Sequence, residues 1–272
     1  MKPRIAVVGP GRVGKTLARA LERAGYGISG LVDKGEDPGC LAEADVVLVT
    51  VPDDDIAGVH GDLVERGAIR DSHIVFHCSG LVASSALVHG GFSPAGRASV
   101  HPMMAFADPE SALASLPGTT YGVEGDVAGI EAARAMVGDL GGEVVIVPEK
   151  AKAAYHLACA LSSNGLVALT DAAIEIMRGA GIEGGGVEKG LATLVRGTAR
   201  NMAKLGVRPA MTGPVVRGDA RTVASHLEVL GGGRLEVLEA YRILMLRLVE
   251  MAVESGRGDR SRYESIVEML RR

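Results

Sequence analysis

The sequence has no tryptophan, and aromatic residues make up only 3% of its 272 positions. No aromatic belt therefore flanks the uncharged stretch Ala153 to Thr170. That stretch is near membrane length, but His156, Ser162, Ser163 and Asn164 interrupt it, and it reads as a buried central helix. Cysteine is equally sparse. Cys40, Cys78 and Cys159 are scattered without metal-type spacing, so no metal site is expected and they read as buried thiols in a reducing cytosol. There is no basic run, and the formal net charge is −4, which argues against a nucleic-acid surface. Met1-Lys2-Pro3-Arg4 lacks the layout of a secretory leader, pointing to a cytoplasmic protein. Internal repeats and low-complexity tracts are also absent. What remains is an ordinary globular composition, long enough for one large or two medium domains.

The opening Arg4-Ile5-Ala6-Val7-Val8-Gly9-Pro10-Gly11-Arg12-Val13-Gly14-Lys15-Thr16 organises the chain. An apolar run feeds a glycine turn, and the turn opens into a segment with helical periodicity. Backbone N–H groups at such a helix start face a phosphate, where the helix dipole also favours negative charge. Two patterns fit the same residues. Gly9, Gly11 and Gly14 match G-x-G-x-x-G, the dinucleotide fingerprint; Gly9, Gly14, Lys15 and Thr16 match G-x-x-x-x-G-K-[ST], the phosphate loop of NTPases. The dinucleotide reading requires a second strand ending in an acid about 20 residues on. Ile28 to Val32 and Asp33 supply it. The NTPase reading assigns Lys15 to the phosphates, Thr16 to Mg²⁺ and Asp53 to the metal. Pro52, at the end of the strand before Asp53, and the scarcity of later strands favour the dinucleotide. Pro10, Arg12 and Val13 complete its turn.

Further strands are predicted over Ala44 to Val51, His73 to Cys78, Ala98 to the His101-Pro102 pair, Thr120 to Val123 and Glu143 to Val147, with a helix over Val127 to Leu140. In a doubly wound sheet the strand ends line the cofactor crevice, which makes Val51, Pro52 and the Ser79-Gly80 corner its neighbours. Asp53 to Asp55 read as a helix cap and first turn. His101 ends its strand and is a candidate substrate contact. Strands stop at Pro148. Helical patterns then cover about Glu149 to Gly179, Val187 to Leu205, Asp219 to Leu230, Leu235 to Ser255 and Arg260 to Leu270.

On the first of these helices Lys152, His156 and Ser163 share one stripe at i, i+4, i+11 spacing, with Asn164 beside it. A polar stripe in an apolar helix must satisfy its hydrogen bonds. Facing a cleft, Lys152 or His156 would donate a proton as hydride arrives, and Asn164 would orient the substrate. Arg217, in Thr212-Gly213-Pro214-Val215-Val216-Arg217-Gly218-Asp219, has the planar fork that pairs with a carboxylate. Asp219 reads as a helix N-cap.

The opening motif, the Thr50-Val51-Pro52-Asp53-Asp54 turn, Val100-His101-Pro102-Met103-Met104-Ala105-Phe106, Tyr155-His156 with Ser163-Asn164, and Thr212 to Asp219 with His226-Leu227 together resemble one group of bacterial proteins. These are the Rossmann-like proteins whose C-terminal half bears only a domain-of-unknown-function label. Their architecture is similar to ketopantoate reductase, pyrroline-5-carboxylate reductase, prephenate dehydrogenase and the 6-phosphogluconate dehydrogenase group. The resemblance implies an α/β Rossmann domain over 1–148 and an all-α domain of the 6-phosphogluconate dehydrogenase-like type over 149–272. It also implies an NAD(P)-dependent oxidoreductase, using NAD(H) or NADP(H) on a small carbonyl or hydroxyl substrate and paired into a homodimer. Arg217 points to a carboxylate-bearing substrate. A dinucleotide sensor without chemistry, or an NTP-dependent enzyme, are the competing expectations.

Overall fold

A computed structural model describes residues 2–233 and 235–272. The chain divides into two compact units, one running to Gly165 and one from Leu166 to Arg272. In the first, β1 (Arg4–Val8), β2 (Gly27–Val32), β3 (Val46–Val49), β4 (Ile74–His77), β5 (Gly96–Pro102), β6 (Thr120–Gly125) and β7 (Glu143–Ile146) form one sheet. The order is β2-β1-β3-β4-β5-β6-β7. Helices α1 (Arg12–Arg23), α2 (Ile56–Glu65), α3 (Pro109–Ser115), α4 (Val127–Asp139) and α5 (Lys152–Ser162) complete the unit.

The central strands are apolar throughout because both faces are covered. Alternate residues of β1 enter different cores: Ile5 and Val7 pack with Leu17, Leu21 and Phe76, while Ala6 and Val8 pack with Val47, Ile56 and Leu63. β2 lies on one side of β1 and β3 on the other, so a crevice opens at the carboxyl ends of β1 and β3. β1 to β5 are parallel. β6 then pairs antiparallel with β5, setting Gly122 opposite His101, and β7 runs parallel to β6. β5 ends at Pro102, on the His101-Pro102 pair predicted to close it.

The predicted helix from Glu149 to Gly179 is broken at Ser163, where ψ is −74° with φ at −112°. A turn over Glu149–Ala151 leads into α5, and α6 (Asn164–Gly179) follows the break. Among the described residues this is the one helical stretch long and apolar enough to cross a membrane, with a window of mean hydropathy 1.4. Its α-helical parts of 11 and 16 residues each fall short of the ~20 a span requires. The contact boundary after Gly165 groups α5 with the sheet, although the strands end before Pro148.

The second unit continues with α7 (Gly186–Leu205), α8 (Pro214–Arg217), α9 (Ala220–Leu230), α10 (Leu235–Glu254) and α11 (Glu264–Arg271). Val215, Val223, Val249, Ala252, Tyr263 and Ile266 form its core. The Thr212 to Asp219 motif is largely architecture. Gly218 adopts φ 71°, and Asp219 caps α9 by accepting the Thr222 N–H. The carbonyls of Val216 and Arg217 accept from Tyr263 and Arg262. The cysteines correct one expectation: all three are free but only half-buried.

Candidate functional site

The glycine turn after β1 is tight on one side and open on the other. Gly9 has φ 80°, and a Cβ there would fall 2.5 Å from Val51 Cγ1. Gly14 is buried, and its Cβ would fall 2.4 Å from Thr50 Oγ1, the hydroxyl that donates to the Gly9 carbonyl over 2.7 Å. Both glycines let α1 lie close against the ends of β1 and β3. Gly11, the N-cap of α1, faces open space, with nothing within 4 Å of an added Cβ. No side chain caps α1 and no acid lies in its first turn, so its leading N–H groups are free to receive an anion.

Beside this turn lies a cavity of about 500 Å³, walled by Gly9, Gly11, Val32 to Glu36, Thr50 to Pro52 and one face of α2. That volume suits a small-molecule site. At its far end the Asp33 carboxylate accepts the Lys34 N–H at 2.7 Å, and the Asp33 N–H donates to Glu36 Oε2 at 2.8 Å. Asp62 comes from α2, and Asp55 and Arg66 from the residues that flank its two ends. The NTPase reading fits poorly. Thr16 is 1% exposed, closed off from any Mg²⁺, and the Asp53 carboxylate is already bonded to Ser79.

A second cluster lies where β4 and β5 end. Ser79 Oγ donates to Asp53 Oδ2 at 2.7 Å and accepts the N–H groups of Leu81 and Val82, so Asp53 anchors this corner. The Ser79 carbonyl accepts from Ser99 Oγ (2.7 Å) and from Lys152 Nζ (3.3 Å). Lys152, 3% exposed, also donates to Ser99 Oγ at 2.6 Å. Burial lowers its pKa, opposed by the Glu124 and Asp53 charges. From Lys152 on Ser99, α5 runs toward the carboxyl end of β5. One turn later Tyr155 meets His101, with Oη 2.7 Å from Nδ1 and the rings edge-on at 5.5 Å. His156 follows, its ring 6.5 Å from that of His101. Gly80 lies beside both imidazoles: its Cβ would fall 3.0 Å from His156 Cδ2 and 3.1 Å from His101 Nε2. Burial first, then the Lys152 and His156 charges, lower the His101 pKa to about 4, so it is neutral at pH 7. The corner thus concentrates neutral or cationic hydrogen-bond donors.

Lys152, His156, His101 and Ser79 are therefore brought together. Ser163 ends α5 and Asn164 opens α6, both exposed, and the helix break removes them from a continuous stripe with Lys152. Arg217 is exposed in the second unit. Gly9, Gly11, Asp33, Val51 and Pro52 line the cavity, whereas Pro10, Arg12, Val13 and Gly14 belong to the turn and first helical residues behind it. Asp53 binds Ser79 instead of capping α2. Sequence reasoning assigned no role to Glu36, Arg66, Gly122 or Tyr155, the last named only within a motif. The i, i+4 pair Asp62 and Arg66 at the end of α2 and the glycine inside β6 were the available signals. Among the described residues no group of His, Cys, Asp and Glu could hold a metal ion.

Comparison with known proteins agrees with this architecture. Residues 119–248 match the family model described as a domain of unknown function, DUF2520. A solved protein from Thermotoga maritima is 29% identical, with 93% of this chain and 100% of that one covered and a TM-score of 0.72. A Bacteroides fragilis protein, provisionally described as an NADP oxidoreductase, is 20% identical over 92% of this chain and 98% of that one, with a TM-score of 0.70. The pyrroline-5-carboxylate reductase of Coxiella burnetii is 17% identical over 94% and 97%, with a TM-score of 0.59. No curated protein matches the sequence significantly. The chain has a Rossmann-type α/β fold with a helical C-terminal region, and its residues 119–248 are similar to the domain of unknown function DUF2520.

Proposed function

We propose that the protein is a nicotinamide-dependent oxidoreductase acting on a small carbonyl or hydroxyl substrate. One observation carries this reading: the hydrogen bond from Ser79 to Asp53 ties the donor corner to the β3 end that walls the glycine-turn cavity. The fold is shared with proteins described as an NADP oxidoreductase and a pyrroline-5-carboxylate reductase. Gly9, Gly11, Gly14 and Asp33 hold the dinucleotide, which supplies the hydride when bound. Lys152 fixes the Ser79-Gly80 corner, and His156 donates a proton to the substrate oxygen. Asn164, Ser163 and Arg217 are proposed contacts for a carboxylate-bearing substrate. Asp33 and Glu36 disfavour a 2′-phosphate more than Lys34 attracts one, which favours NAD(H) over NADP(H). Free cysteines suit a cytoplasmic enzyme.

The test is titration with NADH, NADPH and a fluorescent ATP analogue, following each ligand's own emission because the protein lacks tryptophan. NADH should bind most tightly. Binding of the ATP analogue alone, strengthened by Mg²⁺, would overturn the proposal. Nicotinamide binding without turnover across a panel of carbonyl substrates would point to a sensor.

A further inference from the structure

His101 faces a glycine across the sheet. In the antiparallel β5–β6 pair its partner is Gly122, and a Cβ there would fall 2.3 Å from the Tyr155 phenol. Cross-strand partners project from the same face, so the missing side chain opens a slot beside the imidazole. Tyr155 fills that slot from α5. Its oxygen approaches Nδ1 at 2.7 Å, while the His101 carbonyl is 3.5 Å away. Burial, reinforced by Cys159 one turn along, raises the phenol pKa well above neutrality, so Tyr155 keeps its proton. A neutral imidazole carries a single N–H, and which nitrogen bears it follows from the bond the other makes. A phenol O–H directed at Nδ1 would occupy that lone pair and leave the proton on Nε2. Nε2 is the nitrogen beside Gly80, on the edge shared with His156.

We propose that Tyr155 is a positioning residue, with Gly122 as its seat, that fixes His101 as the Nε2–H tautomer and presents this N–H beside Gly80 as a donor to a substrate oxygen. A neutral donor of this kind keeps its hydrogen bond across pH 5 to 8, where a free histidine titrates. The substrate half of the statement rests on the oxidoreductase reading; the tautomer does not.

The experiment is long-range ¹H–¹⁵N correlation spectroscopy of ¹⁵N-histidine-labelled protein, with His101 assigned by its absence in His101→Asn. The wild type should show a bare Nδ1 and a protonated Nε2 at His101, unchanged between pH 8 and 5. Tyr155→Phe should convert the signal to the Nδ1–H form or a mixture, and Gly122→Ala, which expels the ring, should do the same. A wild-type Nδ1–H form overturns the proposal, as does a spectrum unchanged in Tyr155→Phe. The wild-type spectrum decides alone if neither variant folds. Normal NADH binding with an Nδ1–H His101 defeats this inference only. An Nε2–H His101 in a protein that binds no nicotinamide defeats the oxidoreductase reading only.

Discussion

His60, inside α2, is fully buried, and neither ring nitrogen has a protein hydrogen-bond partner. Burial, helped by the His89 charge, lowers its pKa from 6.5 to about 4. The unfolded chain therefore binds a proton between pH 6.5 and 4 that the folded chain refuses. Stability falls as pH drops through that window and levels off below about 4. His77 and His101, lowered likewise to about 4 mainly by burial, add to the same window. His60→Leu should lessen the loss in urea midpoint between pH 7 and 4, recovering about 3 kcal/mol at most at the acid end. An unchanged pH slope would assign the loss to other groups. At this scale the sequence singled out polar residues but not which atoms meet. Lys152, His101 and Ser79 stood out as polar residues at strand and helix ends. The phenol of Tyr155 did not, because its partner depends on a pairing between strands that periodicity leaves unspecified.

The turn between β1 and α1 separates two uses of glycine. Gly14→Ala would press a methyl on Thr50 and the Gly9 carbonyl and should cost about 1–3 kcal/mol in chemical denaturation. Gly11→Ala meets nothing, and its φ of −71° suits any residue, so stability should stay within about 0.5 kcal/mol. Its methyl would project where a phosphate approaches α1, and NADH affinity should fall at least tenfold. Normal binding by Gly11→Ala would show that the open side of the turn is not the phosphate site. Elements of this kind were legible: all seven strands were anticipated, as was α4, from apolar runs bounded by turns. The reversal of β6 and β7 was not, because an apolar run records burial and not direction. Nor was the break at Ser163, although Ser162-Ser163-Asn164-Gly165 is a polar, glycine-containing run of the kind that interrupts helices.

For the whole molecule, the accessible surface is 15034 Å². Two separate compact globules of the units' sizes would together expose only about 13,000 Å². The excess has a visible source, since α6 and α7 bury none of their residues while Leu166, Val167, Leu169, Leu194, Met202 and Leu205 are exposed on them. The apolar helix from Leu235, by contrast, finds its neighbours within the unit in α8, α9 and α11. We propose that a second copy of the chain covers α6 and α7. The excess is larger than the ~800 Å² per partner of a standard interface. Light scattering after size exclusion should give twice 28.0 kDa, and Val167→Glu with Leu194→Glu should give the monomer. A monomeric wild type would overturn this, and association with lipid vesicles would redirect attention to the apolar stretch from Glu149 to Gly179.

The slot at Gly122 also constrains how this chain can change by descent. Positions 122 and 155 form a single unit of inheritance, although they lie on different elements. A methyl arriving first at 122 collides with a ring held by α5, whereas a smaller side chain arriving first at 155 leaves only a gap. Lineages leaving this arrangement should therefore lose the phenol before they lose the glycine, and the reverse order is the path selection closes.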